Sequence, residues 1–296
     1  MDNREEAILK TLLYADIFDF PLTKEEIYKY LISEKTIHKT DIAKILKTKK
    51  LPIENAEDYF YLSGRKDLVE KRKRRKVASV KKLNTARAII RKCSLLPTVE
   101  FIGISGALSM ENSDEDDDID IFVITKRGFV WTTRLLLVIL LIMLGAYRNR
   151  KTKNYSDKIC LNMILDKANI HMSEEDGDLY TAHEIAQLLP VFDRENTYER
   201  FIKNNAWVNK FIPNFSIKKN YTKGKNNFWG VVLVVIMRIL FLEKISGFLQ
   251  LKYMEKHRTR ETVKDGLLKF DPFDYKTHVL RIYGQKMKKL NLQNIL

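Results

Sequence analysis

Two aspartates, Asp118 and Asp120, alternate with apolar residues in the run Asp118-Ile119-Asp120-Ile121-Phe122-Val123, and a glycine turn, Ser105-Gly106-Ala107, stands twelve residues ahead of them. A strand has a side-chain period of two, so Asp118 and Asp120 share one face while Ile119, Ile121 and Val123 occupy the other. Carboxylates set into such a strand are costly to bury without a cation. Magnesium takes hard oxygen ligands and seldom has a full protein cage, so two carboxylates completed by triphosphate oxygens form a suitable site. Two such ions can activate an attacking oxygen and stabilise a leaving pyrophosphate in an in-line displacement. A helix opening at Gly106 would aim its first amides at the phosphates, and glycine lets them approach the backbone closely.

This order of parts resembles the polymerase-beta-like nucleotidyltransferase superfamily, whose signature is a strand ending in Gly-Ser, a helix, and Asp-x-Asp on the next strand. Gly106 and the run from Asp118 to Val123 match its spacing and its catalytic strand. The resemblance implies an enzyme that transfers a nucleoside monophosphate from a nucleoside triphosphate to an acceptor, with Mg2+ or Mn2+ held by Asp118 and Asp120. Family members often add a third carboxylate from a later strand. Residues 158–166 read as that strand, with Cys160, Asn162, Ile164 and Asp166 expected on one face, and Asp166 is the acid there, though its place at the strand end suits a plain turn equally. Asn162 is a neutral substitute nearer the centre. Two positions depart from the family pattern: Ala107 follows the glycine where serine is usual, so a hydroxyl contact to phosphate falls to Ser105 or Ser109, and Asp117 precedes the pair where serine is common.

Other candidates are weaker. Asp114, Glu115 and Asp116 read as a solvated acidic loop, and neither register of that loop has the glycine and glutamate of an EF-hand. His183-Glu184 lacks the second histidine of a metalloprotease helix and reads as part of an ordinary helix after a polar loop at residues 174–178. Cys93 and Cys160 have no cysteine or histidine nearby at ligand spacing, so neither a disulfide framework nor a zinc site is indicated.

The expected architecture is α+β: a mixed-sheet nucleotidyltransferase core at residues 97–215, a winged-helix-like unit at 1–63, a basic helical connector at 64–96 and a helical C-terminal region at 216–296. In the first unit, apolar residues recur at helical spacing from 5 to 18, Thr23 and Glu26 form a capping box for a second helix to about 32, and a third helix runs from about 36 to 47. An aromatic hairpin closes it at 51–62. In the connector, residues 65–92 carry 13 Lys or Arg against Asp67 and Glu70, six of the cations consecutive from Lys71 to Lys76. Such a run is either a solvated helix face or a phosphate-binding surface.

The chain has 296 residues and a formal charge of +15, which points to an anionic partner: a nucleoside triphosphate, nucleic acid or an acidic membrane. Residues 128–147 carry one charge, Arg134. Their uncharged run is too short to span a bilayer, so a core helix on the sheet is expected, with the basic flank Arg148, Arg150, Lys151 and Lys153 leaving peripheral membrane contact as an alternative. The charged N-terminus has no signal-peptide pattern, and a reducing cytoplasm is expected. Two further function classes stand beside the enzyme: a nucleic-acid-binding regulator with a degenerate transferase fold, and a peripheral membrane-associated protein. The acceptor and the nucleotide base are not encoded in any motif.

Overall fold

The computed structural model describes residues 1–48, 50–149, 152, 154–172, 177–255, 262–270 and 274–292. Arg150, Lys151 and Lys153 of the basic flank, and most of the loop at 174–178, lie outside them. The protein is mixed α and β around a seven-stranded mixed sheet.

Helix α1 (Asn3–Asp16) starts at a capping box in which Asp2 accepts from the amides of Arg4 and Glu5 at 2.8 Å and Glu5 returns a bond to the Asp2 amide at 3.0 Å. Strand β1 (Leu22–Thr23) leads into α2 (Lys24–Lys29), where the capping box of Thr23 and Glu26 is formed as its sequence requires. Helix α3 (Lys39–Lys47) and the hairpin β2 (Ile53–Ala56) and β3 (Tyr59–Leu62) follow. The three strands make a sheet of their own, ordered β1-β3-β2. Every residue of α1 from Ala7 to Asp16 is buried because it has two apolar sides. Ala7, Ile8, Leu12 and Ala15 pack inside the first unit, and Leu9, Leu13 and Tyr14 pack on residues near the C-terminus and on Leu179. The first 63 residues thus keep a separate sheet but share a core with the rest of the chain.

Helix α4 (Leu68–Cys93) carries the chain to β4 (Val99–Ile104), the short α5 (Gly106–Ser109), β5 (Ile119–Thr125), α6 (Val130–Met143) and β6 (Ile159–Asp166). Helix α7 (Leu179–Gln187), β7 (Leu189–Arg194), α8 (Thr197–Asn204) and a 3-10 turn at Ala206–Lys210 complete the middle of the chain. The remainder comprises β8 (Thr222–Gly224), α9 (Phe228–Ile239), α10 (Leu242–Glu255), β9 (Thr262–Lys264), β10 (Leu267–Lys269) and α11 (Tyr275–Lys289). The large sheet is ordered β8-β7-β4-β5-β6-β10-β9, with β5 parallel to β6 and β7 to β8 and the other pairs antiparallel.

The C-terminal region, expected to be helical, also supplies strands to the sheet: β8 extends one edge and β9 and β10 extend the other. These strands have three residues each, too few to display a two-residue period, and it is backbone pairing with β7 and β6 that makes them strands.

One face of the sheet packs on α4 and α6, through Leu83, Ala86 and Ile90 and through Leu137 and Leu141; Ile119, Ile121 and Val123 point into this layer. The opposite face, carrying Phe101, Phe122 and Ile124, packs on α7 and α8. Helix α6 is the core helix expected from its apolar run, although Ile139, Ile142 and Met143 remain exposed. Among the described residues no helix is long and apolar enough to cross a membrane.

Candidate metal centre

The alternation of β5 places Asp120 on the same face as Phe122, away from the layer beneath Ile119 and Ile121. Asp118, Asp120 and Cys160 come together with one ligand atom from each lying within 4.8 Å of the others. Cys160 is there because β5 and β6 are parallel and in a register that sets it opposite Asp120. Its thiol donates to the Asp120 carboxylate, and burial, reinforced by the two acids, pushes the thiol pKa up, so it stays protonated.

Gly106 stands against this group for a steric reason. Its φ of +63° belongs to the left-handed region, and a Cβ built there would lie 3.0 Å from Asp120 Oδ2. The turn and the carboxylate share one space, so a side chain at position 106 would press on the Asp120 carboxylate. The Ser105 amide donates to the Asp120 carbonyl at 3.0 Å, fixing the turn to the end of β5. The Ser105 hydroxyl accepts from Asn162 Nδ2 at 3.3 Å, so Asn162 braces the turn. Ser109 serves a different purpose: it is buried, its hydroxyl donates to the Gly106 carbonyl at 2.8 Å, and it does not line the cavity beside the acids.

The expectation for β6 needs a correction. Ile121 pairs with Leu161 but Phe122 pairs with Met163, so Asn162 is an extra residue, a bulge, in the β6 ladder. Beyond it the alternation is shifted by one: Met163 and Leu165 lie on the layer of Phe122, while Ile164 joins the layer of Val123. Cys160, Asn162, Ile164 and Asp166 therefore do not share a face. Asp166 also pairs with Thr125 at the far end of the ladder, roughly 20 Å along the strand from Cys160. Its carboxylate is taken by the amides of Gly128 at 3.0 Å and Ala168 at 2.6 Å and by the Asn169 side chain at 3.2 Å. That is the turn role.

Two charged residues enter the site that the motif did not include. Arg148 forms an ion pair with Asp118 and lies over the Tyr155 ring, 4.7 Å from its centroid. In the sequence it was one cation of a basic flank, and no spacing rule links it to Asp118. Glu184, on α7, lines the same cavity, and its charge adds to those acting on Asp120. Burial first, and the Asp118 charge second, push Asp120 up to about 7.

The cavity measures about 750 Å³. Asp118, Asp120, Cys160 and the Gly106 turn line it on the sheet side. Tyr14, Phe20 and Tyr30 from the first 63 residues face it, as does His183, and Lys264 and Lys269 of the β9–β10 hairpin add positive charge. The acidic loop ahead of Asp118 is held rather than free: Asp117 accepts from the Asp114 amide at 2.8 Å, and Asp114 is paired with Arg74 and Arg75.

No family model, curated protein or solved structure matches the chain.

Proposed function

We propose that the protein is a metal-dependent nucleotidyltransferase, moving a nucleoside monophosphate from a nucleoside triphosphate to an acceptor. The observation that carries this reading is the convergence of Asp118 and Asp120 on one another and on the Gly106 turn, beside a cavity large enough for a nucleotide. The donor chemistry fits Mg2+ or Mn2+: both carboxylates offer hard oxygens, and the protonated Cys160 thiol remains a hydrogen-bond donor to Asp120. A divalent cation bound there supplies charge neutralisation at the phosphates and a lower barrier for the attacking oxygen. Asp118 and Asp120 would hold it; Arg148, freed from Asp118, would meet a phosphate oxygen, and Lys264 and Lys269 would add to the positive field on the triphosphate. The winged-helix likeness of residues 1–63 rests on their helix order and β1-β3-β2 sheet, and in this reading their Tyr14 and Tyr30 form a wall of the nucleotide cavity.

Calorimetry of nucleoside triphosphate binding with and without magnesium tests the proposal. Asp118→Asn and Asp120→Asn keep side-chain size and remove charge, and each should weaken metal-dependent binding by roughly a hundredfold or more while the fold persists. Gly106→Ala should weaken it too, through pressure on Asp120. Asp166→Asn, away from the cavity, should leave binding unchanged. Affinity that is independent of magnesium, and equal across all of these proteins, would refute the reading.

A further inference from the structure

The exposed apolar residues of α9 and α10 take no part in the proposed site. Helix α9 has no buried residue: Phe228 and Trp229 are 73% and 72% exposed and Ile239 is 66% exposed, while Val231, Leu233, Val235 and Ile236 are also exposed. At 100° per residue these side chains cover an arc of about 200°, twice the stripe by which a surface helix normally packs on a protein. Helix α10 is built inside out. Its buried side is small or polar at Ser246, Gly247 and Gln250, with Met254 as its one large apolar residue, and its exposed side carries Ile245, Phe248 and Leu249.

Gln250 and Glu243 bind α10 to α6. Gln250 donates to the Trp131 carbonyl at 2.8 Å and accepts from Arg134 at 2.5 Å, and Glu243 accepts from the amides of Trp131 and Thr132 at 2.9 Å each. Gly247 lets the Trp131 indole lie where a Cβ would meet it at 3.1 Å. These contacts fix the direction in which α10 faces, so its apolar side is held outward by specific bonds.

We propose that α9 and α10 form a monotopic membrane-docking surface, immersed in the headgroup and upper acyl region of an anionic bilayer. Charge argues for that occupant. Lys219, Lys223, Lys225, Arg238, Lys244 and Lys252 flank the apolar residues and are exposed, and the other charged residues of this stretch are Lys218, Glu255 and Glu243, whose carboxylate is turned inward onto α6. Arg238, the cation within α9, donates to the Arg127 carbonyl at 3.2 Å and lies over the Phe129 ring, so it is drawn back to the protein body. A flat protein partner would cover one stripe of α9, whereas lipid solvates an arc this wide. Twelve residues give a helix of about 18 Å, against about 30 Å of hydrocarbon, so it lies in the interface and does not cross. Phe228 and Trp229 beside Lys223 and Lys225 are the aromatic and basic anchors that an interface favours.

Flotation of the full chain tests this with phosphatidylcholine vesicles, either pure or containing about a third phosphatidylglycerol. The protein should float with the anionic vesicles, more weakly with the neutral ones, and the Trp229 emission should shift to the blue. Changing Phe228, Trp229, Phe248 and Leu249 together to Ser alters only exposed side chains; it should leave the circular dichroism and the nucleotide affinity as they are and lower the vesicle partition at least tenfold. Binding unaffected by the four changes would overturn the proposal. So would a protein that stays unbound with both vesicle types, whether it sediments as a monomer or as a dimer that the same changes dissociate; the dimer would assign the surface to a second copy. Nucleotide affinity is measured without vesicles, so the two readings stand or fall separately.

Discussion

At the residue scale, Asp120 carries a thermodynamic cost. Burial and the neighbouring Asp118 raise it to about 7, against 3.8 for an unperturbed aspartate. A folded-state pKa above the unfolded one means that the native protein binds this proton more tightly. Its stabilising contribution is therefore fully present below about pH 4 and is lost as pH rises through 7. Without divalent cations, Asp120→Asn should raise the unfolding free energy at pH 8 by on the order of a few kcal/mol, read as a higher melting temperature, and change it little at pH 4. Added magnesium should then stabilise the wild type and not the variant, because a ligand that binds only the native site shifts folding by mass action. An equal melting shift at the two pH values would show that Asp120 is not held above its unfolded-state pKa.

At the element scale, the basic run of α4 is largely an internal device. Lys71 pairs with Asp19, Arg72 with Glu26, Lys73 with Glu57 and Glu70, and Arg74 and Arg75 with Asp114. Arg72 is 3% exposed; it donates to the Met110 carbonyl at 2.9 Å and stacks on Phe20, with its guanidinium carbon 3.7 Å from the ring centroid. One face of this helix therefore joins the first 63 residues to the loop that carries Asp118. Arg72→Ala leaves Glu26 and the Met110 carbonyl without that donor and should cost about 2–4 kcal/mol in urea unfolding, somewhat under the penalty for breaking a fully buried pair. The Arg74 side chain is 69% exposed, and Arg74→Ala should fall within about 1 kcal/mol of wild type. Similar losses for the two would mean that the charge of the run matters as a whole and its pairing does not. A salt-sensitivity experiment on nucleic acid should accordingly use Arg74 and avoid Arg72, whose loss acts through folding.

At the scale of the whole molecule, α1 joins the small sheet to the large one. Tyr14 stacks on His183 of α7 with ring centroids 4.1 Å apart, and meets Tyr283 of α11 edge-on at 5.6 Å. Burial lowers His183 to about 3, from 6.5, so the folded protein holds the imidazole neutral. For a depressed histidine the contribution to stability is complete above pH 6.5 and is lost progressively as pH falls towards 3. His183→Phe keeps a flat ring against Tyr14 and removes the titration, so the stability difference between variant and wild type should move in favour of the variant as pH falls from 6.5 to 4. Urea midpoints that stay parallel across that range would remove His183 as a source of acid sensitivity at this junction.

The short-range features were legible in the chain itself. The alternation of β5, the capping box of Thr23 and Glu26, the aromatic hairpin and the core side of α6 each follow from a local period or a local hydrogen bond, and each is present where its residues require it. Asp118 and Asp120 face one way because a strand has a period of two. What tertiary structure decided lies between distant segments. One extra residue at Asn162 reversed the side-chain order of β6 and turned Asp166 to the other layer; a bulge is set by register with the neighbouring strand, and the composition of β6 does not announce it. Cys160 joined the acids through parallel pairing, Arg148 through the path of a loop, and Glu184 through the packing of a helix 64 residues after Asp120. Glu243 and Gln250 of α10 turned inward because α6 offered them partners, and that choice left its apolar residues facing out. Periodicity assigns residues to faces; only the neighbouring element determines which face is covered.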